Sequence, residues 1–149
     1  MITDKLATFA DGTALNTGAA GDYVIGDVID LGANYQLWDV DDLYLVITVD
    51  TTATSGGSAT LAVSLATDDN SSLSSPTKVT TSQTIAVANL VAGVVISMRE
   101  LPKNVAWERY IGIVQTTGTA AFTAGKINAF FTTTPSNYRS FADALTASQ

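Results

Sequence analysis

Hydrophobic and polar positions alternate most regularly over residues 43–50. Leu43, Leu45, Ile47 and Val49 fall on one side of an extended chain there, and Tyr44, Val46, Thr48 and Asp50 on the other. Successive side chains of a β-strand point to opposite faces, so a period of two with one wholly apolar set predicts a strand with one buried face. The second face is apolar at Val46 and polar at Asp50, which predicts partial cover by a loop or a neighbouring subunit. Residues 61–67, 110–116 and 127–133 repeat the rhythm, and shorter strands are predicted over 28–31, 78–82 and 94–99. Between them stand strong breakers. Ser55-Gly56-Gly57-Ser58 predicts a hairpin from the first strand into the 61–67 strand, and Gly118-Thr119 predicts a second hairpin joining 107–117 to 123–133. Gly26 and Gly125 mark expected bends or bulges. This pattern predicts an all-β protein, an antiparallel β-sandwich of about eight strands spanning residues 22–134.

The two ends do not fit the alternation. Residues 1–21 are small and polar, with Ile2, Leu6, Phe9 and Leu15 as their sizeable apolar side chains. These are too few and too interrupted to build a core strand, so the segment reads as an arm that orders on a partner surface. In that reading Ile2, Leu6 and Phe9 are the anchors, and Lys5 and Asp11 form the polar rim. Residues 135–149 read as a short tail in which Tyr138, Phe141 and Leu145 are spaced to align on one helical face. The fourteen residues 136–149 make only a marginal helix alone, so Tyr138 and Phe141 become further contact candidates.

Composition removes most chemistry. The chain holds no Cys and no His, which excludes disulfides, thiolate metal sites, the usual general base and the Ser-His and Cys-His nucleophile pairs. Thr (22) and Ala (21) dominate, and Thr with Val and Ile favours strands. Glu100 and Glu108 are the only glutamates, and nothing in their spacing brings them together across a cleft as glycoside hydrolysis requires. Asp68-Asp69-Asn70-Ser71-Ser72 lacks the glycine and the bidentate Glu of an EF-hand and reads as a strand-end turn. The expectation is a protein that is not an enzyme and carries no metal or cofactor. Tyr35 and Trp38, beside Asp39, Asp41 and Asp42, read first as a loop that plugs the end of a β-sandwich; the alternative is the aromatic platform of a carbohydrate-binding β-sandwich.

Charge is uneven. Residues 1–70 carry eleven acids against Lys5 alone, and residues 71–149 carry three acids against six bases, within a net charge of −7. The sign argues against a nucleic-acid partner. The asymmetry either guides docking between copies or averages out if folding interleaves the halves. No apolar run is long enough to span a bilayer and the start lacks the features of a signal peptide, so a soluble chain made in the cytoplasm is expected.

Read in order, the chain resembles the jelly-roll cement (decoration) proteins of tailed bacteriophages. The resemblance lies in Met-Ile-Thr-Asp-Lys-Leu with Phe9-Ala10-Asp11, in Val28-Ile29-Asp30-Leu31-Gly32, and in Leu43-Tyr44-Leu45-Val46 running into Val49-Asp50-Thr51. It continues through Leu90-Val91-Ala92-Gly93, Leu101-Pro102, Arg109-Tyr110, and Gly118 to Phe122 followed by Thr123-Ala124-Gly125-Lys126. It implies a jelly roll, a structural role on the outside of a capsid, contacts with the phage major capsid protein, and a dimer or trimer of the chain in the virion. Residues 22–26 and 35–41 depart from the pattern, so loop contacts to a shell do not carry over there.

Overall fold

The computed structural model describes residues 5–32 and 42–135. A 3₁₀ turn, Lys5–Ala7, leads into nine strands, β1 (Thr8–Ala14), β2 (Gly21–Asp30), β3 (Tyr44–Ser55), β4 (Thr60–Asp68), β5 (Thr77–Thr81), β6 (Ile85–Ala86), β7 (Val95–Glu100), β8 (Tyr110–Gly118) and β9 (Phe122–Thr132), with a second 3₁₀ turn, Val87–Asn89, between β6 and β7. They form two antiparallel sheets. One has the order β1-β9-β3-β7, and the other β2-β8-β4-β5 with β6 added beside β4. The pairs β4:β5, β3:β7, β2:β8 and β1:β9 are nested about the β4–β5 turn. The chain is thus a long antiparallel ribbon wound into a sandwich, which is the jelly-roll arrangement.

That winding corrects both predicted hairpins. β3 and β4 lie in opposite sheets, as do β8 and β9, so each Gly-containing turn carries the chain from one layer to the other. A turn signal reports a reversal of direction and says nothing about the hydrogen-bonding partner. β3 pairs instead with β9, and β4 with β8.

The alternation in β3 is as read. Leu45, Ile47 and Val49 enter the core with Leu61, Val63 and Leu65 of β4, Ile111 and Ile113 of β8, and Ile127 and Phe131 of β9. Val46 points the other way, between Met98 and Phe130 in register, yet is 0% exposed in the single chain. Val46, the apolar middle of that face, is therefore covered within the chain.

The expected N-terminal arm is also corrected. Thr8–Ala14 is the outer strand of its sheet, and Phe9 is 1% exposed, edge-on to Phe131 with ring centroids 4.9 Å apart. One aromatic residue suffices because two register shifts in the β1–β9 ladder, around Thr8/Ala10 and Ala10/Thr13, turn both Phe9 and Ala10 inward. Bulges break the period of two that a sequence reading depends on.

The segment after β1 is fixed by a polar side chain inside the sandwich. Gln115 is 0% exposed; its Oε1 accepts from the Asn16 N–H at 2.8 Å, and its Nε2 donates to the Asn16 carbonyl at 3.0 Å and to Thr117 Oγ1 at 2.7 Å. The amide acts as a piece of strand, satisfying backbone groups that would otherwise be buried without partners. The outer face of the second sheet is closed by its own chain. Leu73, in the turn after β4, packs on Ala66 and Val114, and Lys78 of β5 spans the sheet to Asp22 of β2 at 2.9 Å and Thr116 of β8 at 3.1 Å.

Candidate docking surface

Three of the contact candidates gather at one place. Lys5 and Asp11 line a groove of about 470 Å³ with Thr8, Ala10, Asp27, Asn128 and Phe130, and Leu6, 83% exposed, stands beside Lys5 in the 3₁₀ turn. Phe9 is in the core and does not belong to this surface. Ile2, Tyr138 and Phe141 lie outside the described residues, as do Tyr35 and Trp38 of the glycan platform.

Two glycines shape the groove. Gly12 sits at φ +56°, in the left-handed region, and its N–H donates to Asn128 Oδ1 at 2.7 Å, which pins the β1 bulge to β9. Gly26 sits at φ +74°, and a Cβ there would overlap the Phe9 carbonyl oxygen. Only a residue without a side chain lets β2 pass so close beneath β1. The β2–β8 ladder shifts register between Ile25 and Ile29, and Asp27, between them, lines the groove with Asp11. Asp27, Asn128 and Phe130 were not among the sequence candidates. Gly26, read as a bend, was the available signal for Asp27.

The charge asymmetry along the chain resolves into pairs between its halves. Lys78 meets Asp22 at 2.9 Å, Arg109 meets Asp30 at 2.9 Å, and Lys103 meets Asp42 at 3.5 Å. Each joins an acid of the first half to a base of the second, because the ribbon lays the two halves side by side. Hydrogen bonds from Thr116 and Lys78 lower the pKa of Asp22, and the Arg109 fork with the Gly32 N–H lowers that of Asp30. Asp11 and Asp27 differ: neither carboxylate has a hydrogen bond or ion pair with a described residue.

The other carboxylates have local tasks. Asp68 is buried and accepts from the N–H groups of Ser75 at 2.8 Å and Asn70 at 3.1 Å, which lower its pKa and fold the strand-end turn that delivers Leu73. Asp69 and Glu108 bring carboxyl oxygens within 4.8 Å of it, while Glu100 lies 3.7 Å from Lys103. The two glutamates thus keep separate company.

A family model matches residues 9–131, running from Phe9 in β1 to Phe131 in β9. The chain belongs to the Bbp16 family. That family name is phage-associated. No curated protein matches the chain. The Bbp16 match covers the whole sandwich including β1, so the strand missed in the sequence reading is part of the family domain. Asp11, Asp27, Asn128 and Phe130 fall inside the match, whereas Lys5 and Leu6 precede it.

Proposed function

We propose that this Bbp16-family protein is a non-enzymatic structural component of the virion that binds the outside of the phage capsid and stabilises the shell through the major capsid protein. The observation that carries the reading is the match of the entire jelly roll to a phage-associated family. The groove beside β1 supports it, since an exposed Leu6 next to mixed charge is suited to docking. Attachment to a shell of many copies needs only modest affinity per contact once several contacts act together. Self-association as a dimer or trimer is part of the proposal. Val91 and Val94, 48% and 37% exposed ahead of outer strand β7, are a suitable apolar contact for it.

Co-sedimentation of the purified protein with capsids lacking it tests the reading. Saturable binding, with a rise in the capsid's thermal transition, is the expected result; protein that stays in the supernatant at micromolar concentration overturns it. Sedimentation equilibrium of the free protein tests self-association separately, and a mass of one chain refutes it.

A further inference from the structure

We propose that the C-terminal segment, residues 136–149, covers the outer face of the β1-β9-β3-β7 sheet, with Tyr138 and Phe141 seated on a row of side chains that crosses it. In register, Met98 of β7, Val46 of β3, Phe130 of β9 and Thr8 of β1 lie side by side. Leu45, Ile47, Ala129 and Phe131, the sequence neighbours of Val46 and Phe130, enter the core, so the row faces outward, because successive side chains of a strand alternate. Val46 and Phe130 are nevertheless only 0% and 6% exposed, and neither belongs to a buried cluster of the sandwich.

Apolar side chains on the outer face of a sheet are buried only when something lies over them. The Lys5–Ala7 turn borders β9, but its Leu6 is 83% exposed and its Ala7 packs on the inner cluster. The strands outside this sheet belong to the opposite layer, against the inner face. The cover therefore comes from the chain beyond the described residues, and its reach selects the C-terminal end. β9 ends at Thr132, two residues past Phe130, and residues 136–149 follow shortly after. The row crosses four strands, about 14 Å at about 4.8 Å between neighbours, and fourteen residues span about 21 Å even when coiled as a helix. Tyr138, Phe141 and Leu145 supply the large apolar side chains that such a cover needs. Residues 33–41 are committed to carrying the chain from β2 in one sheet to β3 in the other, and residues 1–4 bring only Met1 and Ile2. Tyr138 and Phe141 are thereby parts of the folded chain rather than contacts with a shell, whether or not the protein docks on a capsid.

A double-mutant cycle in the full-length chain tests this. It compares the parent, Phe130→Ala, the pair Tyr138→Ala with Phe141→Ala, and the three substitutions together, by equilibrium urea unfolding; Phe130→Leu replaces Phe130→Ala if the latter does not fold. The tail pair is expected to lower the urea midpoint and, with an unchanged far-UV spectrum, to raise the fluorescence of bound anilinonaphthalene sulfonate about twofold or more as the row is uncovered. In the tail-pair background, the Phe130 substitution is expected to shift the midpoint by less than about half its shift in the parent, since the contact it removes is already gone. Shifts that simply add, or a tail pair that changes neither midpoint nor dye binding, overturn the proposal. The same cycle run with Trp38→Ala is expected to be additive; coupling of Phe130 to Trp38 and not to the tail pair assigns the cover to residues 33–41 and also overturns it.

Discussion

Phe9→Ala probes whether the N-terminal strand belongs to the folded core. Phe9 is 1% exposed, a member of the buried cluster and edge-on to Phe131 at 4.9 Å and 83°. An aromatic side chain of this kind buries roughly 150–200 Å², worth about 4–5 kcal/mol at about 25 cal/mol per Å². Alanine keeps a small part of that, but the cavity left behind adds a cost of its own, so the expected loss is about 3–5 kcal/mol. Domains of this size are stable by only about 5–15 kcal/mol, so the variant should have a much lower urea midpoint with an unchanged slope. Leu6→Ala, three residues away and exposed, is the internal control and should stay within about 0.5 kcal/mol. Equilibrium urea unfolding followed by far-UV circular dichroism reads both. A Phe9→Ala midpoint equal to that of Leu6→Ala would refute the placement of β1 in the sandwich and restore the detachable arm.

Other expectations follow from single features. Gly26→Ala forces a Cβ onto the Phe9 carbonyl at a positive φ, and should cost about 2 kcal/mol or more in the same unfolding assay. Trp107 is buried and its Nε1–H has no hydrogen-bond partner among the described residues, so Trp107→Phe should change stability by less than about 1.5 kcal/mol. Asp22, Asp30 and Asp68 all have pKa values lowered by their folded surroundings. Their contribution is therefore complete above about pH 4, where the unfolded carboxylates are ionised, and is lost as pH falls through the lower folded values. Thermal midpoints should drop on acidification below about pH 4, and less steeply in Asp68→Asn than in the parent; a midpoint flat from pH 5 to 2 contradicts this.

What could be read from the sequence follows from which physical rule each strand obeys. β3 and β4 alternate without interruption over their inward positions, so period two locates them. β8 does so except at Gln115, a polar residue that hydrophobicity places outside and a backbone-matching amide places inside. β1 and the first half of β2 were missed because bulges at Gly12 and Gly26 shift the phase mid-strand, and phase is the signal. Pairing was missed for a different reason: in a wound ribbon the strands joined by tight turns belong to opposite sheets, and partners lie up to 122 residues apart, as Thr8 and Phe130 do. The surface was half legible. Lys5, Leu6 and Asp11 come from one stretch and announce themselves by composition, whereas Asp27, Asn128 and Phe130 reach the groove only through the fold.

Electron cryomicroscopy of capsids incubated with saturating protein tests capsid docking most directly. Jelly-roll density is expected on the outer surface of the shell, seated with the groove beside β1 facing the major capsid protein. Capsids that remain bare, or jelly rolls attached with that groove open to solvent, would contradict it.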